Sequence, residues 1–224
     1  MLKELTLSVV LSALIATQIA AQDHSACNGI YCPQAKAGDY ATELEPFVQA
    51  GKTWQQVKGQ NILVIKYYKP DGTIAQTKTY PQTRYMQPVS DNPGSIAFAG
   101  EGTPTIALHG LQPCTKSGVF AFQGEKVTCT SLWQDRLSSN LFGTQAILCR
   151  AYVDQVDKPV QQATCVREED GVGKDHKPAG IVIDDALVGL GVVTLAKDAS
   201  EEVLRPDLTR VATQGAKMFT ALSQ

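Results

Sequence analysis

Residues 103–114, Thr-Pro-Thr-Ile-Ala-Leu-His-Gly-Leu-Gln-Pro-Cys, carry an apolar run into a glycine turn that closes on a proline and a cysteine. A strand ending this way delivers polar side chains to a sheet edge, and here it delivers His109 and Gln112. An imidazole at such an edge could act as a general base. That role needs a positioned third group, and none stands near it in sequence, so His109 reads as a packed or surface histidine. Asp184-Asp185 could hold a cation, but the pair stands just before an apolar helical run and reads as a helix cap. Gly100-x-Gly102 and Gly171-x-Gly173 fall short of a phosphate-cradling fingerprint and read as turns. Tyr67, Tyr68, Tyr80 and Tyr85 could stack on bases or sugars, although alternate aromatics on a hairpin serve first for strand packing.

The six cysteines are the other reactive set: Cys27, Cys32, Cys114, Cys129, Cys149 and Cys165. Their meaning depends on compartment. Met1–Lys3 is followed by a short apolar run to Ala21 that ends in small residues without a polybasic stop, which predicts a cleaved signal peptide over residues 1–21. No later apolar run is long enough to span a bilayer, so the expected location is periplasmic or secreted, with no membrane span after cleavage. An even cysteine set in an oxidising compartment forms bridges, and proximity favours Cys27–Cys32, Cys114–Cys129 and Cys149–Cys165. No two cysteines have C-x-x-C spacing and the three histidines are scattered, so no metal site is expected. The formal net charge of −2 shows no basic stripe and argues against gripping nucleic acid by its phosphates.

The elements that must position these residues follow from the hydrophobic pattern. Residues 40–58 read as an irregular helical piece broken at Pro46 and Gly51. Asn61–Tyr68 and Thr73–Tyr80 flank Lys69-Pro70-Asp71-Gly72 and form the clearest hairpin. A linker rich in proline and glutamine runs to Pro93, and a second hairpin pairs Ser95–Ala99 with Thr105–Leu108. Phe120–Phe122 is a short apolar patch. Leu132, Trp133, Leu137 and Leu141 mark one face of a helix over 131–142. Two strands follow at 145–153 and 161–167, placing Cys149 opposite Cys165. A short helix then ends near Gly189–Gly191, a strand covers 192–196, and a terminal helix runs from 206 to 222 with Leu208, Val211, Ala212, Met218, Phe219 and Leu222 as its apolar set. The expected fold class is α+β. It comprises a small antiparallel β barrel with three packed helices over residues 94–224, preceded by an extension over 22–93 that holds the helical piece and the first hairpin.

This order resembles the staphylococcal-nuclease (thermonuclease) family, an OB-type barrel with three helices, over about residues 94–222. The words that carry the likeness are Leu108-His109-Gly110-Leu111-Gln112-Pro113-Cys114-Thr115, the cysteine-bounded helix from Cys129 to Cys149, the stretch Asp157 through Ala163, and Leu187-Val188-Gly189-Leu190-Gly191-Val192-Val193. The resemblance implies phosphodiester hydrolysis with calcium held by carboxylates, a glutamate for the attacking water, and two arginines to neutralise developing charge. Those positions are not filled that way. The turn aspartate falls on Gln112 or Leu111, and the glutamate on Thr115 or Cys114. The strand arginine falls on Ala107 or Ile106. The second arginine falls on Val160 or Gln161, with Lys158 nearby as a point charge that cannot fork. Upstream, Asp91 alone survives of the family's acidic pair.

The expectation is therefore a nuclease-like framework without its nuclease, acting as a binding or scaffold module for an envelope protein or glycan. Asp91, His109, Gln112 and Lys158 are its weak candidate contacts, and no cofactor is expected. One alternative is an extracytoplasmic phosphodiesterase with relocated catalytic residues, which alone would call for calcium. Another is an accessory protein of surface-polysaccharide assembly.

Overall fold

The computed structural model describes residue 31 and residues 61–83, 86–90, 94–142, 146–169 and 179–223. The expected signal peptide, Cys27 and Cys32, the helical piece at 40–58, Tyr85, Asp91 and the Gly171-x-Gly173 pair lie outside the described residues.

The first hairpin forms where the sequence places it. β1 (Asn61–Tyr68) and β2 (Ile74–Thr83) are antiparallel around a turn in which Gly72 takes φ +82° and its N–H donates to the Lys69 carbonyl at 2.9 Å. Along β1 the two-residue period sorts the side chains. Leu63, Ile65 and Tyr67 enter the main core, while Val64 joins a smaller cluster with Ala146, Leu148 and Val166 on the opposite face.

β3 (Gln87–Val89), β4 (Ala97–Ala99) and β5 (Thr105–Leu108) form an antiparallel meander. β6 (Leu111–Pro113) follows the glycine turn, and β7 (Phe120–Phe122) pairs with β8 (Glu125–Val127). Next is α1 (Cys129–Leu141), opened by a capping box: Thr128 Oγ1 accepts from the Ser131 N–H at 3.1 Å, and Ser131 Oγ accepts from the Thr128 N–H at 3.0 Å. Its buried face holds Leu132, Trp133, Leu137 and Leu141, the set read from the sequence.

β9 (Ala146–Tyr152) and β10 (Val160–Glu169) are antiparallel with Cys149 directly opposite Cys165. The two are bonded, as are Cys114 and Cys129, with Cα–Cα separations of 4.2 and 5.5 Å. Each bridge closes a short loop, of sequence separation 16 and 15, worth about 3 kcal/mol in the chain-entropy account. β11 (Ala179–Val182), α2 (Ile183–Gly189), β12 (Val193–Leu195) and α3 (Thr209–Leu222) complete the chain, and β12 pairs with β6.

The described strands form a mixed sheet in the order β2-β1-β9-β10-β5-β4-β3, with β11 beside β10. This corrects the expected antiparallel barrel in two respects. β1 runs parallel to β9 and β5 runs parallel to β10, and no hydrogen-bonded ladder joins β2 to β3 to close a ring. The sheet is nevertheless rolled. From Thr83 at the end of β2 to Gln87 at the start of β3 the chain can reach no more than about 15 Å. The outer strands of a flat seven-strand path would stand roughly 29 Å apart. The hairpin assigned to an extension before residue 94 is thus part of the same sheet, because β1 pairs with β9 while β2 forms one edge.

The two last helices meet at glycines. Gly191, at φ +71°, lies against Gly215 of α3, and a Cβ built on Gly215 would stand 2.9 Å from the Gly191 nitrogen and closer still to the Val188 carbonyl. Backbone cannot swing aside as a flexible side chain can. Gly215→Ala should therefore lower stability by about 1–3 kcal/mol through overpacking, despite the better helix propensity of alanine. Equilibrium urea unfolding of the variant against the wild type checks this, and an unchanged midpoint would refute the close approach of α3 to α2.

Candidate functional site

The glycine turn between β5 and β6 is held from below by a buried cation. Gly110 takes φ +71°, and a Cβ there would lie 2.6 Å from Arg205 Cγ, so the turn needs glycine both for its backbone angle and for room. Arg205 is fully buried. Its Nη1 donates to Asp184 Oδ2 at 2.6 Å, while Nε and Nη2 donate to the two carboxylate oxygens of Asp207 at 3.0 and 2.9 Å. Thr164 Oγ1 on β10 also donates to Asp184 Oδ2, at 2.5 Å. A guanidinium away from water requires this kind of forked satisfaction. Burial raises the Asp184 carboxyl against the pull of Arg205, and the two carboxylates hold Arg205 firmly protonated.

Asp184 is therefore not a helix cap. The residue at the cap of α2 is Val182, with no side-chain cap hydrogen bond, and Asp184 points into the interior as the partner of Arg205. Arg205 and Asp207 are not among the candidate residues read from the sequence. Their signal was an arginine and an aspartate flanking Pro206, bracketed by Leu204 and Leu208 at the entry to the last helix.

His109 sits above this cluster. Its backbone N–H donates to the Ala163 carbonyl at 2.9 Å, and its ring stacks on Tyr31 with centroids 3.9 Å apart and planes 16° apart. Tyr31 in turn meets Tyr152 edge-on at 5.1 Å. Burial, and then the Arg205 guanidinium, lower the His109 pKa to about 4, against opposing pulls from Gln162 and Asp207. At neutral pH it is an uncharged, packed ring that holds a proton poorly. Burial likewise pushes the Tyr31 hydroxyl up to about 12.

The remaining predicted residues do not converge. Gln112 is half-buried, with its amide nitrogen directed at the Leu195 carbonyl at 3.5 Å. Lys158 is at the surface, paired with Asp154 at 3.1 Å. Ile106 and Ala107 are fully buried apolar residues of β5. Gln161 is buried and accepts a hydrogen bond from the Tyr67 hydroxyl at 2.7 Å. Tyr67 and Tyr80 pack in or against the core, while the Arg150 guanidinium lies 5.9 Å from the Tyr68 ring. Cys114 is in a disulfide and Thr115 is exposed. Among the described residues no three His, Cys, Asp or Glu side chains are grouped to hold a metal ion. The side chains around the turn do not fit calcium: they offer one amide and one hydroxyl where a hard dication wants several anionic oxygens.

A concave surface does exist, on the far side of β6. It is a groove of about 670 Å³ between residues 114–116, β12 and the outer face of α3. Val193, Leu195, Ala212, Ala216 and Phe219 supply its apolar lining, and threonines on α3 rim it. Its signal in the sequence was Thr209, Thr213, Ala216 and Thr220, a small-residue row at helical spacing on the side of α3 that carries no charge.

Two outcomes test this geometry. Arg205→Met leaves two buried carboxylates without their cation and should cost about 3–5 kcal/mol, whereas changing Arg205, Asp184 and Asp207 together to Met, Leu and Leu should restore most of that loss. Urea midpoints of the single and triple variants distinguish a paired cluster from three independent residues. The second outcome concerns pH. His109 has a folded pKa near 4 and an ordinary value of 6.5. The unfolded chain takes up its proton first, so His109 withdraws stability as pH falls from about 6.5 to about 4. Compared at pH 7.5 and 4.5, wild type should lose more stability than His109→Gln. That difference isolates His109 from Asp184, whose raised carboxyl acts in the opposite sense. Equal losses would refute a neutral, desolvated imidazole.

Compared with protein-family models, curated proteins and solved structures, the chain shows no match.

Proposed function

We propose that this protein is a disulfide-held binding module that acts outside the cytoplasm. Its framework is of staphylococcal-nuclease type, with the hydrolytic positions converted to core and turn. The observation that carries the reading is the fate of the positions where phosphate chemistry would need guanidinium groups. Ile106 and Ala107 are interior apolar residues and Gln161 is spent on Tyr67, so neither side of the turn presents a forked cation to solvent. Without such donors a developing phosphorane charge has nothing to stabilise it, and each lost donor costs about a hundredfold to a thousandfold in rate.

Three further features support the reading. The rolled sheet with α1 and α2 against it, and α3 against α2 and β12, suits an OB-type framework, whose sheet faces serve binding on many unrelated proteins. The bridges Cys114–Cys129 and Cys149–Cys165 suit an oxidising compartment, and among the described residues no helix is long and apolar enough to cross a membrane. The open concavity beside α3 gives such a module a place to act, for a partner or ligand of the cell envelope.

Incubation of the purified protein with plasmid and single-stranded DNA, with calcium and then with chelator, tests the proposal. Both substrates should remain intact. Chelator-sensitive cleavage that disappears in Lys158→Gln would replace this reading with a phosphodiesterase whose catalytic residues have moved.

A further inference from the structure

The groove beside α3 is selective through what it does not offer. Lys116 is the single charged residue in its lining, and no carboxylate lies there. The Lys116 ammonium stands 4.6 Å from the centroid of the Phe120 ring and forms no ion pair among the described residues. Of the five threonines in the lining, three spend their hydroxyl protons within the protein, leaving Thr115 and Thr209 as side-chain hydroxyl donors. Thr213 Oγ1 and Thr220 Oγ1 each give their proton to a carbonyl one helical turn back, at 2.9 Å, and Thr194 Oγ1 donates to the Pro113 carbonyl at 3.3 Å. What remains is a largely apolar trough of about 670 Å³, within the size range of small-ligand sites, with Lys116 as the one cationic residue of its lining.

These features rank the possible occupants. A peptide brings an N–H and a C=O at every residue, each needing a partner, and the trough has few donors for the carbonyls. A glycan brings hydroxyls with the same demand. A polyanion needs several cations where there is one. A saturated chain makes no such demand, and a single anionic group at its end matches the single ammonium.

We infer that the groove binds a single-chain amphiphile with one anionic headgroup, the alkyl chain lying along α3 between Ala216 and Leu195 and the headgroup at Lys116. This assignment rests on the reading of the protein as a binding module, and it names the class of ligand that module takes. The headgroup can be a carboxylate or a phosphate monoester, since both present oxygens to an ammonium.

Calorimetric titration of the full mature chain, below the micellar concentration of each probe, tests it. The probes are dodecanoate, dodecyl phosphate, dodecanol and inorganic phosphate. At least one of the two anionic amphiphiles should bind at least tenfold more tightly than dodecanol, and inorganic phosphate should give no heat. The tighter of the two anions identifies the headgroup. Lys116→Gln should weaken the anionic probe by about tenfold, to the level of dodecanol, and Ala216→Trp should abolish binding of all chains by filling the trough. Ala216 is exposed, so the fold of that variant can be verified by its unchanged unfolding midpoint.

Three results would overturn the inference: equal affinity for dodecanol and the anions, undiminished binding by a folded Ala216→Trp, or a dimer in sedimentation that Ala216→Trp dissociates, which would seat a second copy in the groove. None of these depends on whether DNA is cleaved. Failure of the binding-module reading and failure of the ligand assignment are therefore separable.

Discussion

One buried guanidinium organises the carboxyl-terminal half of this molecule. Arg205 lies on the segment before α3, Asp184 comes from the first turn of α2, Thr164 comes from the middle of β10, and Gly110 of the β5–β6 turn rests on its methylene stem. Four segments far apart in sequence are thereby given one relative placement. The energetic value of such a cluster is not large in itself, since desolvating three charges offsets most of their attraction. Its effect is selective: any other packing of α2 or of the α3 entry leaves a buried charge alone. The same placement explains His109. A proton on that ring would put a second cation beside Arg205 under the lid of Tyr31, so the ring stays neutral and contributes shape.

The sheet solves a different problem with different means. At one edge its strands β3 and β4 have only three residues each and gain little from local ladder length. The roll compensates by turning the inner residues of β1, β5, β9 and β10 into a single interior shared with α1 and α2. Cys149–Cys165 ties the two central strands from inside that interior, and Cys114–Cys129 fixes the start of α1 to the end of β6. The first bridge reinforces an existing strand pair, whereas the second joins two elements that no ladder connects.

What was readable in the sequence was whatever is decided locally. Lys69-Pro70-Asp71-Gly72 names its own turn, the Leu132–Leu141 spacing names its own buried face, and two cysteines sixteen residues apart on adjacent β-rich runs name their pairing. What was not readable was decided by partners at long range. Nothing in Asn61–Tyr68 says that its neighbour is β9 in parallel register, so the hairpin looked like an extension when it belongs to the sheet. Asp184-Asp185 before an apolar run has the same appearance whether it caps a helix or pairs with a cation twenty residues on; only Arg205 decides between them. The groove was hidden for a related reason. Its threonines and alanines fit both a solvated helix face and one wall of a trough, and β12 opposite determines which.

The distribution of charge connects fold to function. Hydrolysis of a phosphodiester requires cations and carboxylates gathered at a solvent-open point, where they stay ionised and reach the substrate. Beside the β5–β6 turn of this chain, Arg205 is an interior cation. Arg205 is consumed by Asp184 and Asp207, and the surface beside the turn keeps only an amide and hydroxyls. A charge used to fix the packing of α2 and α3 is unavailable for substrate, and freeing it would leave buried carboxylates unsatisfied. The two uses exclude each other. A chain that commits Arg205 to the interior leaves no guanidinium there for such chemistry, and its concave surface beside α3 is lined largely by apolar residues and threonines, with Lys116 as the single charged residue.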